Sequence, residues 1–355
     1  MAPLIIELRK KCQVIVCVTG QHRDMLDQVL NFFDIKPNYD LNVMESNQSL
    51  AGITSKIISS FTKVLQKESP DLVMVHGDTT TTFSASVASF YSRIKVAHVE
   101  AGLRTYDFQS PFPEEFNRVA TSMIASIHFA PTEQSRNNLL NEGISDQSIY
   151  VTGNTVIDSM NSVLNSLKNK NPSDFFSNSD LINIIEKKKK LILVTGHRRE
   201  NFGKGLESIC NALVEISLSY PDVAIVYAVH LNPNIRVPVY EILSHLDNVY
   251  LVEPLEYSCF IKMMDYSSLI ITDSGGIQEE APSLGKHVLI TREKTERNES
   301  FDSGLVQLVG ANQKLIVESS KKILDSNDLV VKSKNPFGDG DACKKISHIL
   351  QNLKL

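Results

Sequence analysis

The residues best suited to chemistry lie between Ser268 and Glu280. There an apolar, β-prone run leads into Ser274-Gly275-Gly276, and helical spacing follows. The N–H groups at the start of such a helix converge on one point and bind anions. One of the carboxylates at Glu279 and Glu280 can hold the vicinal hydroxyls of a ribose, so a nucleoside diphosphate suits both features. The alternative is an ordinary helix N-cap, because Asp-Ser-Gly is good capping chemistry by itself.

A cluster of cations follows an apolar run at 191–195. His197, Arg198 and Arg199 lie on the loop directly after that run. Two arginines and a histidine at the end of a strand suit a diphosphate, because guanidinium groups bind phosphate oxygens in a bidentate manner. A solvated basic loop is the alternative.

Two carboxylates follow apolar runs in the first half of the chain. Asp78 stands between the run at 72–77 and a helix start, and Glu100 and Arg104 follow the run at 95–99. Asp78 has helix capping as its alternative role. A charged residue that directly ends a buried strand is not explained by capping, so Glu100 and Arg104 are candidate site residues.

A third acidic position follows two prolines, where Glu114 and Glu115 open a helix and Arg118 lies four residues after Glu114. These residues are candidates for acid–base work. The alternative is favourable charge at a helix end with an i,i+4 ion pair, worth roughly 0.2–0.5 kcal/mol.

Composition limits the class of protein. The chain has 355 residues, 42% of them apolar, and a net charge of −5. This length predicts two domains, and the mildly acidic balance argues against nucleic acid. The apolar runs have the length of strands, so we expect no membrane span. The cysteines at 12, 17, 210, 259 and 343 show no metal or redox spacing, which is typical of a reduced, cytoplasmic protein.

Alternating β-rich and helical runs predict an α/β protein with two Rossmann-like, doubly wound domains and a cleft between them. Strands are expected at 13–19, 72–77, 95–99, 126–130, 148–152, 191–195, 223–229, 249–252, 268–272, 287–291 and 305–309. The expected parts are a first domain at 1–166, a polar linker at 167–190, a second domain at 191–334, and a C-terminal segment at 335–355 whose helix packs back on the first domain.

Together these motifs resemble, in order and spacing, the non-hydrolysing UDP-N-acetylglucosamine 2-epimerases. The resemblance covers essentially the whole chain. Its motifs are Met1-Ala-Pro-Leu4, His76-Gly-Asp-Thr-Thr-Thr-Thr82, His98-Val-Glu-Ala-Gly-Leu-Arg104, Pro113-Glu-Glu115, Gly196-His-Arg-Arg-Glu200, His230-Leu-Asn-Pro233, Asp273-Ser-Gly-Gly-Ile-Gln-Glu-Glu280 and Pro336-Phe-Gly-Asp-Gly340.

The resemblance implies a glycosyltransferase-B-like homodimer that epimerises UDP-N-acetylglucosamine at C2 without a cofactor or metal. UDP leaves first, a 2-acetamidoglucal forms, and UDP adds again. A second UDP-N-acetylglucosamine would act as an activator. The implied catalytic residues are Asp78, Glu100, Glu114, Arg118 and His197. The implied substrate ligands are Arg104, Ser274, Gly275, Gly276 and Glu280. The implied activator ligands are Gln21, Arg199 and His230.

Two departures from the family pattern are present. Members open with a strand and a Gly-Thr-Arg-Pro-Glu-Ala-Ile-Lys loop before Met-Ala-Pro-Leu, so we expect this chain to lack that strand and loop. Asn298 stands where proline is usual. Three alternatives remain open. They are a glycosyltransferase of the same architecture, a sugar-nucleotide-binding remnant without activity, and a hydrolysing epimerase that releases free N-acetylmannosamine.

Overall fold

A computed structural model describes residues 1–21, 23–45, 48–187, 189–326 and 334–353, apart from the side chains of residues 24, 25 and 199. The chain divides into two compact units. The first comprises Met1–Ser159 and Phe337–Leu355, and the second comprises Met160–Pro336.

The described residues form parallel strands connected by helices, as the alternation of sequence patterns predicts. The strands are β1 Cys17–Val18, β2 Tyr39–Asp40, β3 Leu72–His76, β4 Lys95–Val99, β5 Ile127–Ala130, β6 Ile149–Val151, β7 Leu191–Gly196, β8 Ala224–Val229, β9 Val249–Val252, β10 Leu269–Thr272, β11 His287–Ile290 and β12 Val306–Leu308. The helices are α1 Ala2–Leu8, α2 Arg23–Phe32, α3 Leu50–Glu68, α4 Thr80–Tyr91, α5 Glu114–Ile124, α6 Glu133–Asn141, α7 Thr155–Leu167, α8 Ser179–Glu186, α9 Lys204–Ser219, α10 Pro233–Leu243, α11 Tyr257–Tyr266, α12 Gly275–Ser283, α13 Gln313–Leu324 and α14 Ala342–Asn352. None of these helices has the length and hydropathy that crossing a bilayer requires.

The second unit contains one six-stranded parallel sheet in the order β12-β11-β10-β7-β8-β9. This is the doubly wound order, with the reversal of winding between β7 and β10. The strands are mostly apolar because helices cover both faces of such a sheet. β7 and β10 are buried along most of their length. Ligands bind at the carboxyl ends of strands beside the reversal, which places the loops after Gly196 and Thr272 at the expected position.

The first unit contains a four-stranded parallel sheet, β3-β4-β5-β6, and a separate parallel pair, β1-β2. The strands that the sequence predicts at 72–77, 95–99, 126–130 and 148–152 are confirmed within a residue or two. The two-residue strand Tyr39–Asp40 was not predicted, because so short a run carries no periodicity. A hydrogen bond between the Thr19 and Thr81 hydroxyls (2.9 Å) joins the loop after β1 to the first turn of α4.

The structure differs from the expected linker at 167–190. The boundary between the units falls at Ser159, inside α7, and the next residues belong to the second unit. α8 buries Leu181 and Ile184 there, and Asn178 caps its N-terminus. The polar composition of this stretch hid these apolar positions, because asparagine and serine also serve as helix caps.

The C-terminal segment from Phe337 onward belongs to the first unit. Asp158 accepts hydrogen bonds from the backbone N–H groups of Ala342 (3.2 Å) and Cys343 (2.9 Å) at the start of α14. A carboxylate at a helix N-terminus is favourable because it satisfies free N–H groups and complements the helix dipole. Residues 327–333, which end the expected second domain, lie outside the described part of the chain.

Candidate active site

Asp78, at the carboxyl end of β3, is held by a buried ion-pair network. Its carboxylate pairs with Arg118 of α5 at 2.5 Å, and Arg118 also lies 3.3 Å from Glu115. Glu115 is fully buried, and its Oε1 accepts the backbone N–H groups of Thr105 (3.0 Å) and Tyr106 (2.8 Å). A buried charge is tolerated when it is paired and hydrogen-bonded. Arg118 is therefore fixed between two carboxylates, and Asp78 is fixed by Arg118.

The structure excludes capping as the main role of Asp78. The N-cap of α4 is Thr79, whose side chain accepts the N–H of Thr82. Asn117 donates to the Asp78 carbonyl at 2.9 Å, which holds the backbone of the same residue. Asp78 therefore presents its carboxylate at the end of β3 instead of closing the helix.

His98 supports the turn that carries Asp78. Its Nε2 lies 2.7 Å from the Gly77 carbonyl, so this nitrogen carries the proton and donates. Burial lowers the pKa of His98 to about 3, which keeps the ring neutral at physiological pH. Gly77 has φ +69°, a conformation that favours glycine. The turn is thus fixed by a glycine and by a neutral histidine on the adjacent strand.

Glu100 lies just beyond the end of β4 with φ 65°, an uncommon conformation for a residue with a side chain. Asn154 donates from Nδ2 to Glu100 Oε2 at 2.7 Å, and His76 Nε2 lies 3.9 Å from the same oxygen. Strained backbone that persists in a native structure is common at functional sites. Because β3 and β4 are adjacent, Asp78 and Glu100 follow neighbouring strand ends.

Arg104, one of the expected substrate ligands, makes its hydrogen bonds to protein groups of the first unit. Its side chain is buried and makes four hydrogen bonds, two to Glu142, one to Ser122 and one to the Leu103 carbonyl. A guanidinium committed to a bidentate carboxylate contact within the fold has a structural role. The position of Arg104 after a strand could not reveal its contact with Glu142, because Glu142 lies far along the chain.

Glu114 and Glu115 have different environments although they are adjacent. Glu114 is half-buried at the first position of α5, whereas Glu115 is fully buried. Arg118 pairs with Glu115 and Asp78, so the expected i,i+4 pair with Glu114 is absent from the ion pairs of the described residues. Sequence reasoning missed the structural role of Glu115, for which only its place in the Pro-Glu-Glu motif was a signal.

In the second unit, α12 begins at Gly275 directly after β10, as the sequence predicts for a phosphate-binding turn. Ser274 is at the N-cap position and makes no side-chain capping bond within the described residues. The first N–H groups of α12 have no acceptor within the helix and point toward the strand end. A β-carbon on Gly275 would lie 2.5 Å from the Arg297 guanidinium, which would have to shift to make room. One on Gly276 would meet Glu280 at 3.9 Å.

His197 is held by Asp273 on the opposite side of the β7–β10 reversal. Its Nδ1 lies 3.1 Å from Asp273 Oδ1, and the backbone N–H groups of His197 and Arg198 each donate to Oδ2 at 2.9 Å. Burial acts to raise the pKa of Asp273, but His197 and the two N–H groups outweigh it and lower this pKa. Nδ1 faces Asp273, and the half-exposed ring leaves Nε2 for a ligand.

Glu280 is buried near Glu279 and behaves differently from it. Glu279 pairs with Arg297, which also pairs with Glu296. Burial and the negative charge of Glu279 raise the pKa of Glu280 to about 8, so its carboxyl holds a proton at neutral pH. Glu280 Oε1 is buried and has no hydrogen-bond partner in the described structure. A hydroxyl-bearing ligand at this helix start would supply one.

The expected activator residues belong to both units. His230 stacks on His197 with ring centroids 6.2 Å apart, and burial, together with the charge of His197, lowers the pKa of His230. Gln21 belongs to the first unit and accepts a hydrogen bond from Thr81 at 3.0 Å. The side chain of Arg199 lies outside the described structure.

Comparisons with known proteins agree over the whole chain. The family model for UDP-N-acetylglucosamine 2-epimerase matches residues 5–351. The chain is 52% identical to the enzyme of that name from Campylobacter jejuni, over 99% of this chain and 93% of that protein. It is 51% identical to the Escherichia coli enzyme, over 100% and 96%.

Solved structures give the same result. The crystal structure of UDP-GlcNAc 2-epimerase from Neisseria meningitidis bound to UDP-GlcNAc is 49% identical, with a TM-score of 0.93 over 99% of this chain and 96% of that one. The Methanocaldococcus jannaschii enzyme in complex with UDP-GlcNAc and UDP is 33% identical, with a TM-score of 0.83 over 99% and 95%. These matches confirm the predicted fold class, and the chain belongs to the UDP-N-acetylglucosamine 2-epimerase family.

Proposed function

We propose that this chain interconverts UDP-N-acetylglucosamine and UDP-N-acetylmannosamine by inverting C2 of the sugar. The observation that carries the proposal is a pair of fixed carboxylates, Asp78 and Glu100, at adjacent strand ends of the first unit. The second unit adds a helix start suited to a diphosphate. Family membership favours this reaction over a glycosyltransferase or an inactive remnant.

The chemistry explains why both sets of residues are needed. The C2 proton of a sugar has no neighbouring carbonyl, so a carboxylate cannot remove it directly. When UDP departs with the electron pair of the C1–O bond, C1 gains positive charge and the C2 proton becomes removable. Loss of that proton gives 2-acetamidoglucal. Return of a proton to the opposite face, with addition of UDP at C1, gives the epimer.

We assign the proton transfers and the stabilisation of positive charge to Asp78, Glu100 and Glu114. General acid–base groups of this kind typically contribute about 10²–10⁴-fold in rate. Arg118 holds Asp78 in place. In the second unit, Ser274, Gly275 and Gly276 receive the diphosphate, His197 stabilises the departing UDP, and Glu280 binds the ribose hydroxyls.

Proton NMR in D₂O tests the reaction directly. With UDP-N-acetylglucosamine, we expect the manno epimer to form and deuterium to appear at C2 of both sugars, because the proton is exchanged at the intermediate. Release of free N-acetylmannosamine would instead identify a hydrolysing enzyme. A folded chain that exchanges no C2 proton would contradict the proposal.

We also infer a homodimer formed through the outer faces of α4 and α5. Phe90 and Tyr91 on α4 and Phe116 and Met123 on α5 are exposed large apolar side chains. Exposed apolar patches of this kind mark interfaces. Light scattering should show a dimer for the wild type and a monomer for Phe90→Glu with Met123→Glu. Leu218→Glu, an exposed position on α9, is the control and should stay dimeric. A monomeric wild type would contradict the inference.

Two finer points follow from the family pattern. A second UDP-N-acetylglucosamine would act as an activator through residues that include His230, Arg199 and Gln21. A sigmoidal dependence of rate on substrate that becomes hyperbolic in His230→Ala would support this role, and unchanged kinetics would oppose it.

The chain would work in the cytoplasm, where its five free cysteines stay reduced.

A further inference from the structure

Asn154, which follows β6, donates a hydrogen bond to the Glu100 carboxylate. The side chain of Asn154 is 2% exposed, and its Nδ2 donates to Glu100 Oε2 at 2.7 Å. No motif of the sequence drew attention to it. The contact joins a residue assigned to the chemistry to one that lies 54 positions further along the chain.

The orientation of the Asn154 amide is fixed independently of Glu100. Its Oδ1 accepts the backbone N–H of Val156 at 3.2 Å, so Oδ1 faces that N–H and Nδ2 faces the carboxylate. An amide nitrogen can only donate a hydrogen bond. Glu100 Oε2 therefore acts as an acceptor, which favours Oε1 as the oxygen that carries any proton of Glu100.

The backbone of Asn154 is fixed as well. Its N–H donates to the Phe337 carbonyl at 2.7 Å, where the C-terminal segment of the first unit returns. Gly153 has φ +86°, and a β-carbon there would lie 3.0 Å from the Phe337 carbonyl oxygen. Two chain segments distant in sequence thus meet at Asn154 and leave its side chain little freedom to turn away.

We propose that Asn154 is the positioning residue for Glu100: it holds the carboxylate and reserves Oε1 for proton transfer or charge stabilisation. Oε1 lies on the side of Gly77, the residue before Asp78, since a β-carbon on Gly77 would lie 3.4 Å from it. The inference rests on the proposed function, because it takes Glu100 as one of the carboxylates that act on the sugar.

A double-mutant cycle tests this role. Asn154→Ala should lower kcat on the order of 10²-fold with little change in KM, because a misplaced catalytic group costs about that much. Asn154→Asp, which loses the donor and adds a like charge, should lose at least as much. In the Glu100→Gln background, where activity is already low, Asn154→Ala should cause no further loss. Equal losses in both backgrounds would overturn the proposal.

A matched control separates positioning from general damage. Asn248 in the second unit donates from Nδ2 to the carbonyls of Ser217, Tyr220 and Val223, so Asn248→Ala also removes hydrogen bonds of an asparagine side chain. We expect Asn248→Ala to lower the midpoint of thermal unfolding and leave kcat unchanged. A fall in kcat for Asn248→Ala matching that of Asn154→Ala would mean that lost stability explains both.

A measurement without substrate distinguishes a failure of the positioning role of Asn154 from a failure of the proposed function. In a spectrum of protein labelled with ¹⁵N only at asparagine, the side-chain signal absent from Asn154→Ala belongs to Asn154. That signal should shift in Glu100→Gln, because a charged acceptor is replaced by a neutral one. If it shifts and the wild type does not epimerise, the contact stands and the proposed function fails. If it does not shift, the positioning role fails whatever the activity.

Discussion

The two units arrange charge in opposite ways. In the first unit, Asp78 and Glu100 each have a buried partner, Arg118 and Asn154, that fixes the side chain without any ligand. In the second unit, a buried oxygen of Glu280 has no hydrogen-bond partner among the described residues, and the first N–H groups of α12 have no acceptor within the helix.

This difference matches the different requirements of proton transfer and ligand binding. Groups that transfer protons must be held close to the productive geometry, and buried partners provide this. Groups that hold a ligand gain more when the ligand itself completes their hydrogen bonds, because an unsatisfied buried polar atom costs about 1–3 kcal/mol. This contrast agrees with our proposal that proton transfer depends on carboxylates of the first unit and that nucleotide binding depends on the second.

The largest expected effect is a loss of kcat at Glu114, which we compare with a loss of stability at the adjacent Glu115. Glu114→Gln should lower kcat by about 10²–10⁴-fold and leave the free energy of unfolding nearly unchanged, since Glu114 is half-buried. Steady-state kinetics and urea unfolding measure the two quantities. Near-normal turnover in this variant would remove Glu114 from the catalytic carboxylates.

At Glu115 we expect the larger effect on the free energy of unfolding. Among the described residues, Glu115→Gln leaves the buried Arg118 paired with the carboxylate of Asp78 alone, so we expect a loss of about 3 kcal/mol in the free energy of unfolding. Urea unfolding measures this loss against Glu114→Gln. Equal stability of the two variants would show that the network around Arg118 does not need the charge of Glu115.

A smaller effect separates the two glycines of α12. Gly275→Ala places a β-carbon against Arg297 and should cost about 1–3 kcal/mol of stability through overpacking. Gly276→Ala has room and should be neutral or stabilising by about 0.5–1 kcal/mol, since alanine favours a helix. Thermal unfolding compares them. A Gly275→Ala chain as stable as Gly276→Ala would show that Arg297 moves aside freely.

The effect that is smallest over any one pH unit is a pH dependence of stability from Glu280. Its pKa is about 8 in the folded chain against an ordinary value of 4.5, so between these values the folded state binds more protons than the unfolded state. Stability should therefore fall as pH rises through this window, by at most about 1.4 kcal/mol per pH unit. Urea unfolding of wild type and Glu280→Gln across this range should show a widening gap in favour of the variant. A constant gap would contradict the raised pKa.

Much of the fold was predictable because parallel strands covered by helices read as short apolar runs. The strands of the second unit and the helix start after Thr272 were expected from such runs. Helix α8, which lies in the expected linker, was not predictable. Leu181 and Ile184 lie in a polar stretch, and their burial depends on packing within the second unit. For the same reason the burial of Arg104 by Glu142 had no local sign.

The sequence by itself determined the family, the alternating α/β order and the carboxylates and cations that follow strand ends. These properties depend on residue types at short spacing, which a chain displays without folding. Tertiary structure alone decided which charges are paired. It also decided which side chains orient them. These contacts depend on packing and burial, and they are the hydrogen bond from Asn154 to Glu100 and the pairs Glu115–Arg118 and Asp273–His197. Desolvation, which raises the pKa of Glu280 to about 8, likewise exists only once the chain is folded.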